Sequence, residues 1–232
     1  FLFFPFLILT IPFIFVVMQP DLGTSLSILI LGVFILFLAG IRLWKFLLGF
    51  TVIIISIPLF LRFIKPYQRD RVISFLDPES DPLGQGYQLI QSKIALGSGG
   101  GTGKGFLQGT QSYLEYLPEK QTDFIFTLIG EEFGFLGTIF IIFLFILLIG
   151  VCYFISIKCF HVFGRIIALG VASNIFIYVF MNIAMVSGLM PVVGIPLPLI
   201  SYGGSVMLSI MISIGLVLNV ELNYNLKKFN NA

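Results

Sequence analysis

Charge is what this chain has least of. Only 10% of its 232 residues are Asp, Glu, Lys or Arg, where a soluble domain carries roughly a quarter. Hydrophobic residues make up 58%, and the mean hydropathy is +1.07. The composition predicts an all-α, polytopic integral membrane protein. Histidine is nearly absent: His161 is the only one. Cysteine is scarce too. Cys152 and Cys159 lie seven apart on one apolar run, too far along it to bridge. They have no metal-ligand spacing and read as inert packing residues. No signal peptide with a cleavage site is visible. The chain opens at Phe1 inside an apolar run, which reads as a fragment lacking an N-terminal part.

Six apolar stretches are long enough to span a bilayer, at about 20 residues per helix. They run over 2–19, 22–40, 46–63, 124–157, 163–186 and 198–220 of a single membrane domain. The fourth is too long for one straight crossing, so it tilts or lays its first turns at the interface. Arg42 and Lys45, Lys158 and Arg165, and Lys227 and Lys228 sit in three segments with no acid apart from Glu221. The positive-inside rule places those segments in the cytoplasm. Segments 20–21, 64–123 and 187–197 then face outward, and every unusual motif falls in them. His161 falls inside, which removes a histidine triad and histidine metal sites from the outer face.

The large outer loop, 64–123, reads as ordered. RDRVISFLDP is a short helix ended by Asp77-Pro78, and DPESDPLGQG is turn chemistry. YQLIQSKIAL places Tyr87, Ile90 and Ile94 on one face of a short interfacial helix. GSGGGTGKG, 97–105, reads as a flexible hinge or tight turn. It fails as a nucleotide loop, because Ser98 and Gly105 stand where glycine and Ser or Thr are needed. Lys104, beside exposed backbone amides, could still meet a diphosphate.

YLEYLPEKQTDFIFTLIGEEFG, 113–134, holds five carboxylates in an apolar setting. Asp123 sits where the outer loop meets the fourth span. Two readings compete. Thr122 or Asp123 caps the helix, or Asp123 is a general base. Next to Phe124, at the edge of low dielectric, its pKa is expected to rise, with Lys120 opposing. A base near neutrality can take a proton from a hydroxyl. Glu115 and Glu119 read as solvated charges, Glu119 sharing a face with Asp123 if the segment is helical. Glu131 and Glu132, intramembrane acids, are expected to pair with a loop Arg or Lys, such as Arg69 or Arg71. SGLMPVVGIPLPLISYGGS, 187–205, is irregular backbone at membrane depth, which is tolerated in protein or against a cavity. It reads as a wall of an outward-open cavity. Asp21 in QPDLGTS reads as the cap of the second span.

These segments together resemble the SEDS family (shape, elongation, division and sporulation), the membrane peptidoglycan polymerases. QPDLGTS, YQRDRVISFLDPESDPLGQGYQLIQSKIALGSGG, LEYLPEKQTDFIFTLIGEEFG and MVSGLMPVVGIPLPLISYGGS occur in family order over nearly the whole chain. The details look like its elongation branch rather than its division branch, and like its last six spans out of about ten. The resemblance implies an inverting glycosyltransferase that polymerises lipid II at the outer face of the cytoplasmic (inner) membrane and releases undecaprenyl diphosphate. It implies catalytic roles for Asp123, in TDFIF, and Glu115, in LEYLP. The position before Thr122, often His in relatives, is Gln121. A class B penicillin-binding protein, a transpeptidase, is the implied partner, and no nucleic acid is expected. Arg69, Arg71, Lys93, Lys104 and Lys120 are candidates to offset the diphosphate charge. Ser201 and Tyr202, in the SYGGS wall, are candidate substrate contacts. A divalent cation, Mg or Mn, held by carboxylates could assist. A flippase for lipid-linked precursor is the rival expectation, and a noncatalytic scaffold for a transpeptidase is the third. Broken helices would suit a transporter, but the acids gather on one side.

Overall fold

The computed structural model describes residues 3–19, 21–60, 66–81, 84–113 and 119–230, and among them every regular element is a helix, with no strand. The elements are α1 (Phe3–Met18), α2 (Leu22–Leu38), α3 (Leu43–Phe60), α4 (Pro66–Leu76), α5 (Gln85–Ser98), α6 (Thr110–Tyr113), α7 (Ile125–Lys158), α8 (Val162–Val186) and α9 (Gly204–Asn230). A short 3-10 turn, Pro78–Ser80, joins α4 to α5. Three of these helices, α7, α8 and α9, are long and apolar enough to cross a membrane.

Helix α8 is the hub. It is apolar all round, the pattern of a helix enclosed by protein. Half of its spanning window is buried, against 11% for α7 and α9. Helices α2, α7 and α9 pack around it. Ala168, Ile175, Met185 and Val186 are its innermost side chains. By contrast α7 turns Phe135, Leu136, Phe140 and Phe143 outward at 52% exposure or more, the surface a lipid-facing helix presents. Cys152 and Cys159 are free and buried, in keeping with a packing role.

Helix α7 solves its excess length by breaking. Its 34 residues would reach about 50 Å at 1.5 Å per residue. Gly134 sits at φ 65°, ψ −160°, outside the helical region. The break strands the carbonyls of Glu131 and Glu132 and the amides of Phe135 and Leu136. The glycine loop takes all four. Lys104 and Gly105 donate their amides to Glu131 and Glu132 at 3.1 and 3.0 Å. Gly100 and Gly101 accept from Phe135 and Leu136 at 2.9 and 3.1 Å. The loop is thus spliced into the helix, and the expected hinge is a clamp. Glycine is required because a Cβ at Gly103 would strike the Glu132 backbone, and one at Gly134 the loop backbone.

Two other expectations are corrected. Helix α9 starts at Gly204 rather than 198, because Pro196, Pro198 and a positive φ at Leu199 keep that stretch out of a helix. Helix α5 exists, but its buried stripe is Leu89, Ser92 and Ala95. Ile94 is 47% exposed. Ser92 explains the choice of face: its hydroxyl bonds Thr127 of α7 and the Val186 carbonyl of α8, each at 2.8 Å.

Candidate active site

The turn 119–124 and the irregular segment 191–203 face each other where α7 begins and α8 ends. Three successive carbonyls of the turn are captured. The Tyr202 amide donates to Gln121 at 2.9 Å. The Ser201 hydroxyl donates to Thr122 at 2.6 Å, and the Asn182 amide donates to Asp123 at 2.7 Å. Ser201 also accepts the Leu197 amide at 2.7 Å, which closes the turn containing Leu199. A leucine at φ 64° stores roughly 1–3 kcal/mol of strain, held only where surroundings fix it.

Asp123 emerges from this strapped backbone. The helix cap is Phe124, with no side-chain cap bond. Thr122 instead donates to the Glu119 carboxylate at 2.8 Å, so neither residue caps α7. Residues 119–124 form a turn and not a helix. Among the described residues no donor reaches the Asp123 carboxylate. It lies against Gly194, where a Cβ would stand 3.3 Å from Oδ2. Its pKa is pushed up to about 6, first by burial and then by the like charges of Glu119 and Asp21. The sequence anticipated the burial. It missed Asp21, which does cap α2, accepting from the Thr24 amide at 3.0 Å and hydroxyl at 2.6 Å. Asp21 comes close because Gly23 lets the head of α2 touch the Val193 carbonyl.

The other candidates are dispersed. Glu115 lies outside the described residues. Lys104 is committed elsewhere: its ammonium meets fully buried Glu131 at 2.8 Å and Thr110 at 2.7 Å. The Thr110 hydroxyl and Gln111 amide also donate to Glu131. The expected pairing of Glu131 with a loop cation is thus met by Lys104 rather than by Arg69 or Arg71. Lys104 is brought in by the loop splice, which no local pattern reveals. The Oε2 of buried Glu132 has no hydrogen-bond partner. Arg69 is exposed, and Arg71 lines one small cavity with Val192 of the wall, its Nη1 unpaired among the described residues. Lys93 is exposed, its stem lying over Gly188. Lys120 is half-buried in the Asp123 turn. Ser201 is buried and used in strapping, whereas Tyr202 is 79% exposed. No three His, Cys, Asp or Glu side chains converge to hold a metal among the described residues.

Residue 182 was not singled out in the sequence. An asparagine inside the apolar run VFMNIAMV, 179–186, was the available signal, since buried amides seek partners.

The comparisons agree with this architecture. Residues 2–226 match the FtsW/RodA/SpoVE family, described as cell cycle proteins. The chain is 50% identical over 213 residues to peptidoglycan glycosyltransferase MrdB of Escherichia coli (strain K12), covering 90% of this chain and 57% of that one. It is 40% identical over 216 residues to stage V sporulation protein E of Bacillus subtilis (strain 168), covering 90% and 57%. A solved structure described as "Structural coordination of polymerization and crosslinking by a peptidoglycan synthase complex" superposes with TM-score 0.77 at 34% identity, covering 95% of this chain and 61% of that chain. The chain thus spans somewhat under two thirds of the length of these relatives. On the match of almost its entire length, the chain belongs to the FtsW/RodA/SpoVE family, the SEDS family its motifs resemble.

Proposed function

We propose that the protein is an inverting peptidoglycan glycosyltransferase of cell elongation, polymerising lipid II at the outer face of the inner membrane. The single observation that carries the reading is the Asp123 carboxylate, partly buried, without a donor among the described residues, and raised to about 6. A carboxylate near neutrality is suited to take a proton in a transition state. In the reaction, the 4-hydroxyl oxygen of an acceptor GlcNAc attacks the anomeric carbon of the donor sugar. Its proton passes to Asp123. The bond from that carbon to the diphosphate breaks with inversion, and undecaprenyl diphosphate leaves. The leaving group is already anionic, so cations rather than an acid assist it. Arg69, Arg71, Lys93 and Lys120 are the outer-loop residues for that role, and Glu115 in LEYLP is a further catalytic candidate. A divalent cation remains part of the proposal only as an addition to these groups.

The apolar groove of about 240 Å³ between Leu96, Phe126 and Phe135 suits a hydrocarbon chain entering from the bilayer. The partner is taken to be a class B penicillin-binding protein. The similar solved structure, described as a peptidoglycan synthase complex that coordinates polymerization and crosslinking, supports a crosslinking partner; the glycosyltransferase names of the relatives support the activity. Incubating full-length protein with lipid II in detergent tests it. Glycan chains made by the wild type and lost in Asp123→Asn are expected. A wild type that makes none in detergent but flips precursor in vesicles would overturn the proposal in favour of a transporter.

A further inference from the structure

Asn182 lies near the outer end of α8, fully buried beside Met181, Met185 and Val186. Its amide nitrogen donates to the Asp123 carbonyl and to the Ile195 carbonyl, each at 2.7 Å. Its Oδ1 has no hydrogen-bond partner. An unpaired buried acceptor is a penalty that an apolar residue of similar size would avoid. Packing alone therefore does not account for an asparagine here. The two bonds it makes have one thing in common. Ile195 adjoins Gly194, the residue against which the Asp123 carboxylate lies. One side chain thus fixes both the root of the aspartate and the surface beneath its tip.

We propose that Asn182 is a positioning residue, setting where the Asp123 carboxylate stands against the wall 191–203 and thereby governing turnover rather than substrate capture. The inference rests on the reading of Asp123 as the base. Displacing a reacting group by about 1 Å lowers a rate roughly 100-fold. Release of the turn would also let water reach the carboxylate, drawing its pKa back toward the ordinary range. The groups acting on that carboxylate are Glu119 of its own turn and Asp21 at the head of α2. The wall has no Asp, Glu, Lys or Arg, and its Tyr202 is mostly exposed. Helix α8 carries Arg165 near its opposite end and Tyr178 one turn before Asn182, while α7 brings Glu131 and Glu132 about two turns beyond Asp123.

The test uses full-length protein and lipid II, with polymerisation followed against substrate concentration and pH. Asn182→Leu leaves the Asp123 and Ile195 carbonyls without this donor, so it should stay folded with a melting point lowered by several degrees. It should lose about 10- to 100-fold in kcat, with KM altered less than about threefold. The acidic limb of its pH profile should move to lower pH. Asn182→Gln retains the donor on a longer arm and should recover part of kcat and of the limb position. Folded Asn182→Leu with wild-type kcat and an unmoved limb overturns the inference while leaving the base intact, provided Asp123→Asn is inactive. Loss of folding in both variants, or loss of kcat with the limb unmoved, assigns Asn182 to packing and overturns it as well. An inactive wild type removes the parent reading and this inference together.

Discussion

Asp123 is the residue on which chemistry and stability pull in opposite directions. Its folded-state pKa, about 6, is above the ordinary 3.8. The folded protein therefore holds this proton more tightly than the unfolded chain does. Stability from this group is greatest on the acid side, is lost as pH rises from about 4 to about 6, and stays lost above. Asp123→Asn should raise the melting point at neutral pH by about 2–4 °C, allowing about 1 kcal/mol for a partly solvated group. The gain should vanish below about pH 4. The same variant should lose about 100-fold or more of polymerisation, the usual contribution of a general base. Wild-type activity should fall off below about pH 6 with a slope of one proton. Thermal unfolding and initial rates across pH check all three. Lys104 offers a second test at this scale. Removing it, as Lys104→Met, takes the cation from fully buried Glu131, which is expected to destabilise by about 3–5 kcal/mol. Pairing it with Glu131→Gln should restore most of the melting temperature. Activity restored along with stability identifies Lys104 as a clamp. A stable but inactive double variant identifies it as a substrate contact.

At the scale of elements, the glycine loop and α7 form one unit. Gly134→Ala forces a side chain into a positive-φ position and into the backbone of Gly101 to Gly103. That should destabilise by more than about 2 kcal/mol. Gly150→Ala, farther along α7 with open space around it, should be neutral or stabilise by up to about 1 kcal/mol. Comparing the two melting temperatures separates a backbone requirement from a general effect of glycine. These elements also show what the sequence could and could not reveal. Helices α1, α2, α7 and α8 were legible from unbroken apolar runs, and the end of α4 from Asp77-Pro78, because those signals are local. The break in α7 was not. Gly134 looks like any glycine in a membrane helix until a loop some 30 residues earlier supplies four backbone partners. That a loop cation meets Glu131 was legible, but which one was not, since it depends on where that splice puts Lys104. At the site, the outer acid and the wall were visible as motifs. Asp21 was visible as the cap of α2, but its charge acting on Asp123 and the role of Asn182 were not, because each acts across the fold.

The whole molecule poses a question of sides. Asp123, the wall 191–203, the head of α2 and the glycine loop all converge at the end of α7 and α8 that holds Phe124 and Val186. The basic connection Lys158 to Arg165 lies at the other end of the same two helices. Charge asymmetry between these ends orients a membrane protein with its Lys- and Arg-bearing short loops in the cytoplasm. A polymer built outside the cell requires the Asp123 end to face outward. The native cysteines are buried at 2% and 5% exposure, so they leave a quiet background for thiol labelling. Tyr202, 79% exposed, adjoins the Asp123 turn, and Phe160, 84% exposed, lies in the opposite connection. In intact cells with a permeable outer layer, a membrane-impermeant maleimide should label Tyr202→Cys and spare Phe160→Cys. Permeabilising the inner membrane should make the second reactive. The reverse order would place the raised carboxylate in the cytoplasm, where a reaction on outward-facing lipid II has no access to it.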